Sequence, residues 1–125
     1  MMIDLHCPWI QGGFNEQVYQ PGREDPVLWQ RQQHLAALIQ QHQQGPIPYG
    51  PGNDLPFGVD WNTNANTVKG LSGSRWGGEQ PGVHLGTTFE IPYATASGVE
   101  VNLESARALG RDLARGVKAY LQELK

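Results

Sequence analysis

His6 and Glu90 are the two side chains whose type and position favour chemistry at a shared site. His6 lies near the end of an apolar run, residues 2–7, that stops at Pro8, and an imidazole on a rigid strand is well suited to bind zinc. Glu90 lies near the end of a second strand-like run, residues 83–91. Burying a carboxylate among uncharged residues costs free energy, so such a residue is expected to be paired with a cation or to take part in chemistry. One imidazole and one carboxylate at the ends of two strands would make half of a metallohydrolase site.

Each of these residues also has a purely structural interpretation. A lone histidine such as His6 is often a hydrogen-bonded core residue. Asp4 shares a strand face with His6, so it either orients the imidazole or is a solvated carboxylate. His84 is either an auxiliary ligand or an ordinary strand residue. Glu90 could instead pair with an arginine, for which the candidates are Arg75, Arg107 and Arg111.

Several classes of site and partner are not supported by the sequence. No His-Glu-x-x-His, His-x-x-Glu, cysteine cluster, Gly-x-Ser-x-Gly or phosphate loop occurs. Cys7 is the only cysteine, and it is badly placed to use His6 as a base because adjacent strand residues point to opposite faces. The net charge of −3 gives no basic surface for nucleic acid, and no apolar run is long enough to span a bilayer. We therefore expect neither a nucleic-acid nor a membrane partner, and by default a cytoplasmic location.

Two helices are predicted from capping signals and apolar spacing. Asp25 followed by Pro26 starts the first helix, and Gly45 follows its end. Asn102 can cap a final helix over residues 103–124. The apolar stripe predicted for this second helix consists of Leu103, Ala106, Leu109, Leu113, Val117, Tyr120 and Leu121.

The predicted elements make an incomplete α/β domain. Residues 45–82 form a long region rich in Gly, Pro and Asn, which predicts a functional loop or a poorly ordered segment. The two strands are too few, because a strand as apolar as residues 2–7 needs neighbours on both sides. The simplest interpretation is that residues 1–125 are the C-terminal part of a larger domain, with a partial mixed sheet and flanking helices. The alternative is a small domain that oligomerises to complete its sheet.

Three segments together resemble the C-terminal portion of a zinc carboxypeptidase of the peptidase M14 family. Ile3–Pro8 resembles the family strand that carries the last zinc-binding histidine. Ser72–Trp76, followed by Thr88–Tyr93, resembles the Ser-Gly-rich loop and the strand that carries the catalytic glutamate. Ser97-Gly98 followed by a long terminal helix also fits the family.

The resemblance implies a three-layer α/β/α fold and a hydrolase acting on peptide or amide bonds. His6 would be the third zinc ligand, and Glu90 would be the general base that takes a proton from the zinc-activated water. The first two zinc ligands and the arginines for the substrate carboxylate would lie upstream of residue 1. The zinc site is therefore predicted to be incomplete, and the chain inactive alone. A missing N-terminal segment or an oligomer partner would have to supply the rest.

The resemblance also implies residues of the substrate pocket. Lys69 falls where the family has a tyrosine that caps the substrate, and Tyr49 is the nearest loop tyrosine upstream of that position. Ser72 and Arg75 follow Lys69 in the same loop. A cis peptide after the zinc-binding histidine would correspond to Cys7–Pro8. The competing interpretation is a non-catalytic interaction domain, or a degenerate remnant of the fold, that binds a partner through its first strand.

Overall fold

The computed structural model describes residues 1–66 and 70–125, and within these ranges the chain is a small mixed α/β domain. Its helices are α1 (Pro26–His42), α2 (Gly73–Gly78) and α3 (Leu103–Glu123). The strands are β1 (Met2–His6), β2 (Gly86–Glu90), β3 (Thr95–Ala96) and β4 (Val99–Glu100), and short 3-10 turns cover Pro51–Asn53 and Asn64–Asn66. None of the helices in the described ranges has the length and apolar character needed to cross a bilayer.

The two strands predicted from the apolar runs pair with each other. β1 and β2 are parallel, in a register that runs from Met2 opposite Gly86 to His6 opposite Glu90. On the other side of β2, Tyr19 forms a single antiparallel bridge to Glu90. In the described residues the predicted partial mixed sheet is therefore one parallel pair extended by one bridge, while β3 and β4 form a separate antiparallel pair.

The N-cap predictions for the two long helices are confirmed, whereas α1 ends at His42 with Gln43 as its C-cap, before Gly45. Asp25 Oδ1 accepts hydrogen bonds from the backbone N–H groups of Val27 and Leu28, and Pro26 occupies the first turn of α1. Asn102 and Ser105 form a reciprocal capping box at the start of α3. Both helices therefore begin where their first orphan N–H groups find side-chain acceptors.

The core lies between the two long helices and the inner face of the sheet. A Cβ at Gly116 of α3 would lie 2.2 Å from Ile39 Cγ1 of α1, so this close crossing requires a glycine. The residues that fill the core include Val18, Leu35, Ile39, Ile47, Leu85, Phe89, Leu109, Leu113 and Tyr120.

The predicted stripe of α3 is wrong at its two ends. Leu103 and Ala106 at its start and Leu121 at its end are exposed, and the helix instead buries Asp112 on its core-facing side. The Asp112 carboxylate accepts hydrogen bonds from the backbone N–H groups of Gln44 and Gly45, each at 2.9 Å. A buried polar residue thus satisfies the backbone that leaves α1, a role that hydrophobic spacing does not predict.

Three local features differ from the sequence prediction. The loop region 45–82 contains α2, which is capped by the Ser72 hydroxyl. The β3–β4 hairpin was not predicted, although Ser97 and Gly98 both adopt positive φ, as a two-residue turn requires. All peptide bonds in the described residues are trans, so the cis peptide expected at Cys7–Pro8 is wrong.

Candidate functional site

A cavity of about 650 Å³ opens at the carboxyl ends of β1 and β2. His6 and Glu90 both line it, as do Ser72 and Arg75. The structure therefore brings four of the predicted site residues to one cavity. The fifth, Lys69, lies outside the described residues.

Strand geometry explains why the sheet presents these side chains to the cavity. Alternate residues of a strand share a face, so Asp4 and His6 of β1 lie on the same face as Thr88 and Glu90 of β2, and all four line the cavity. Phe89 points to the opposite face and is fully buried in the core. Parallel pairing in this register therefore places the predicted imidazole beside the predicted carboxylate.

The outer wall of the cavity is α2, which packs against the same sheet face. Thr88 Oγ1 donates a hydrogen bond of 2.8 Å to Ser74 Oγ of this helix. A Cβ at Gly86 would lie 2.3 Å from the carbonyl oxygen of Ser74, so the helix backbone lies almost directly on the strand. The absence of side chains at Gly86 and Gly78 permits this close contact. The contact places Arg75 of α2 and the capping residue Ser72 at the cavity.

His6 has an exposed imidazole. Its Nδ1 lies 3.9 Å from Asp4 Oδ2, which is within ion-pair range but too long for a hydrogen bond. Asp4 is thus close enough to influence the ring electrostatically, and the orienting role suggested for it stays a prediction.

Glu90 is a buried carboxyl group with an unsatisfied oxygen. It is 7% exposed, and its Oε2 has no hydrogen-bond partner among residues 1–66 and 70–125. Burial raises the pKa of Glu90, the nearby His6 imidazole opposes this shift, and Asp4 adds to it. No arginine forms an ion pair with Glu90 among the described residues, so the pairing considered as an alternative is not seen there. A carboxyl group with a raised pKa is suited to both accepting and releasing a proton.

Tyr19 adjoins Glu90 and was missed by sequence reasoning. Its backbone exchanges two hydrogen bonds with Glu90, of 2.9 and 3.2 Å. Burial raises the pKa of Tyr19 to about 12, the Glu90 charge contributes in the same direction, and a hydrogen bond with Trp61 opposes it. Tyr19 therefore remains a neutral phenol at the edge of a second cavity of about 230 Å³, which His6 and Glu90 also line. No spacing rule links an isolated tyrosine to a strand so distant in the sequence.

Two other residues considered from the sequence do not line either cavity. His84 precedes β2, and its ring packs against Tyr120 of α3 with a centroid distance of 5.8 Å. Tyr49, the tyrosine nearest upstream to the predicted capping position, is buried in the core and donates a hydrogen bond to Asp54. Neither is placed to act as an auxiliary ligand or as a substrate cap.

The donor groups in the described part of the chain fit only part of a metal centre. No group of three or more His, Cys, Asp or Glu side chains there is arranged to hold a metal ion. A catalytic zinc site requires three protein ligands, and the cavity contributes the His6 imidazole with Glu90 beside it. The incomplete zinc site predicted from the sequence stays a prediction.

Comparisons of the chain with protein-family models, with curated proteins and with solved structures found no match.

Proposed function

We propose that the cavity is part of a zinc-dependent hydrolytic site of the carboxypeptidase type, acting on a peptide or amide substrate. His6 contributes one zinc ligand and Glu90 is the general base. The observation that carries this proposal is the register of the two parallel strands, which places His6 opposite Glu90 at the rim of one cavity. The fold to which this part would belong is the three-layer α/β/α domain of the M14 peptidases.

Most of the chemistry assigned to the chain falls on Glu90. When bound by His6 and two further ligands, zinc would polarise the scissile carbonyl and acidify the attacking water. Glu90 takes the proton from that water and gives it to the leaving amine. Its burial and its unpaired Oε2 support this role, because a raised pKa makes the carboxylate a stronger base toward the proton of the attacking water.

The remaining zinc ligands would come from a segment or a second polypeptide that completes the sheet. At the two ends of β1, the Met2 N–H donates to the Leu85 carbonyl and the His6 carbonyl accepts from the Ile91 N–H, both on the side of β2. Since backbone groups alternate along a strand, those of Ile3 and Leu5 face the outer edge of β1. No further strand covers that edge among residues 1–66 and 70–125, so it offers a place for the missing neighbour. In the chain alone the site is inactive.

A zinc titration of the isolated chain tests the site. We expect weak binding, in the micromolar range or above, because one imidazole supplies too few ligands. In a histidine-resolved NMR titration, His6 should respond at lower zinc concentration than His34, His42 or His84, and His6→Ala should remove that response. His42→Ala, which changes an exposed histidine of α1, is the matched control. Tight stoichiometric zinc on a monomer would contradict the incomplete site, and an unresponsive His6 would contradict its role as a ligand.

The exposed edge of β1 also favours a second candidate, a non-catalytic interaction domain. Leu5 is 61% exposed on this edge strand, and such edges recruit partner strands. If binding is the function, His6→Ala and Glu90→Gln leave association unchanged while Leu5→Lys weakens it at least tenfold. Sedimentation of the chain over a range of concentrations measures this for self-association. Association that depends on His6 or Glu90 but not on Leu5 would contradict the interaction-domain interpretation.

A further inference from the structure

Arg23 is a partly buried cation beside α2. Its backbone N–H donates to Gln32 Oε1 at 2.9 Å, which anchors this point of the chain to α1. Its Nη1 is buried and has no hydrogen-bond partner in the described part of the chain. This nitrogen lies against the end of α2, where a Cβ at Gly78 would be 3.6 Å from it. An unsatisfied guanidinium nitrogen in such a position is costly unless a ligand binds it.

Arg75 brings a second positive charge to the same place. It lies three residues before Gly78, on the same side of α2. Burial lowers the pKa of Arg23, the charge of Arg75 lowers it further, and Glu79 and Asp25 oppose these effects. Neither arginine forms an ion pair in the described part of the chain. Both remain charged, because a guanidinium does not lose its proton in proteins.

The two arginines face a space large enough for a small ligand. Both line the 650 Å³ cavity that also contains His6 and Glu90, and this volume is typical of small-molecule sites. Four carboxylates, Asp4, Glu24, Asp25 and Glu90, line the cavity as well. None of them forms an ion pair with Arg23 or Arg75 among the described residues, and Asp25 Oδ1 already accepts two backbone hydrogen bonds at the start of α1. Arginine binds carboxylates through two parallel hydrogen bonds, so a ligand carboxylate in the cavity would give the two guanidinium groups the direct partner that they lack.

We propose that Arg23 and Arg75 form a subsite for an acidic side chain of the substrate, of the aspartate or glutamate type. The inference rests on the proposed function only for the claim that the bound molecule is a substrate. Binding of the anion itself requires neither zinc nor Glu90.

NMR chemical-shift titration of the full chain tests the subsite in the presence of 1,10-phenanthroline, a metal chelator without carboxylate groups. Propionate reproduces the end of a glutamate side chain, and propionamide is its neutral isostere. We expect propionate to bind with a millimolar dissociation constant and to shift the Arg23 and Arg75 side-chain signals, whereas propionamide binds at least tenfold more weakly. Arg23→Gln and Arg75→Gln should each weaken propionate binding at least tenfold. Arg107→Gln, on the exposed face of α3, should leave it unchanged.

Each opposite result overturns the assignment. Equal binding of propionate and propionamide would show that charge is not recognised, and equal effects of Arg23→Gln and Arg107→Gln would remove Arg23 from the subsite. Inorganic phosphate binding more tightly than propionate would assign the subsite to phosphate esters instead of acidic side chains. If Arg23→Gln does not fold, as circular dichroism would reveal, Arg75→Gln alone decides the question. Because a chelator is present, a failed zinc titration of His6 does not affect this result.

Discussion

Replacing Gly86 with alanine is expected to lower the free energy of unfolding by about 3 kcal/mol or more. A Cβ at this position would lie 2.3 Å from Ser74 O, 2.6 Å from Gly78 N and 2.7 Å from Gly78 Cα. All three are backbone atoms, so no side-chain rotation can relieve the overlap. The helix α2 would have to move away from β2. Urea denaturation followed by circular dichroism measures the loss.

Gly73→Ala is the matched control for this substitution. Gly73 lies in α2, the helix that packs against Gly86, but the nearest atom to a Cβ at Gly73 is Met2 Cε at 3.8 Å, an ordinary contact. Alanine at this position should be neutral or stabilising by up to about 1 kcal/mol, because it favours the helix. Gly86→Ala should also weaken propionate binding, since α2 carries Arg75. If Gly86→Ala were as stable as Gly73→Ala, the close packing of α2 on β2 would be wrong.

The elements that hold the site could be predicted because their signals are local. Asp25 and Asn102 cap their helices through their own side chains, and an apolar run ending in a proline marks the strand that carries His6. That His6 and Glu90 share a site was predicted from their positions at the ends of two strands and from the family resemblance. The sequence order alone does not determine which strands pair or in what register.

The parts of the site that escaped prediction depend on contacts between distant segments. Arg23 lies in the segment between β1 and α1, and the approach of Gly78 from α2 is what makes its environment unusual. Tyr19 joins the site through a single backbone bridge to Glu90, which has no periodicity to detect. Asp112 is a further case. Its burial on an apolar face depends on hydrogen bonds from the N–H groups that follow α1, and those partners cannot be identified from the sequence of α3.

Glu90→Gln is expected to stabilise the protein at high pH and to have little effect at low pH. Burial raises the folded-state pKa of Glu90 above 4.5, so the folded protein binds more protons than the unfolded chain as the pH rises above that value. The stability that neutral Glu90 provides is therefore present below about pH 4.5 and is lost as the pH rises through the folded-state pKa. The amide avoids this loss, and the gain at pH 8 should be about 1–3 kcal/mol, the cost of a buried, unsatisfied carboxylate oxygen. Urea denaturation of both proteins from pH 4 to pH 8 measures it.

The difference between the two proteins isolates Glu90 from the other buried carboxyl group. Burial raises the pKa of Asp54 to about 7, against hydrogen bonds from Gln20, Tyr49 and Gln33, and this gives a pH dependence of the same sign in both proteins. It therefore cancels in the comparison. Glu16→Gln, at an exposed position, should change stability by less than about 0.5 kcal/mol. A loss of stability in Glu90→Gln at pH 8 would mean that Glu90 is a paired structural carboxylate, and its assignment as the general base would then fail.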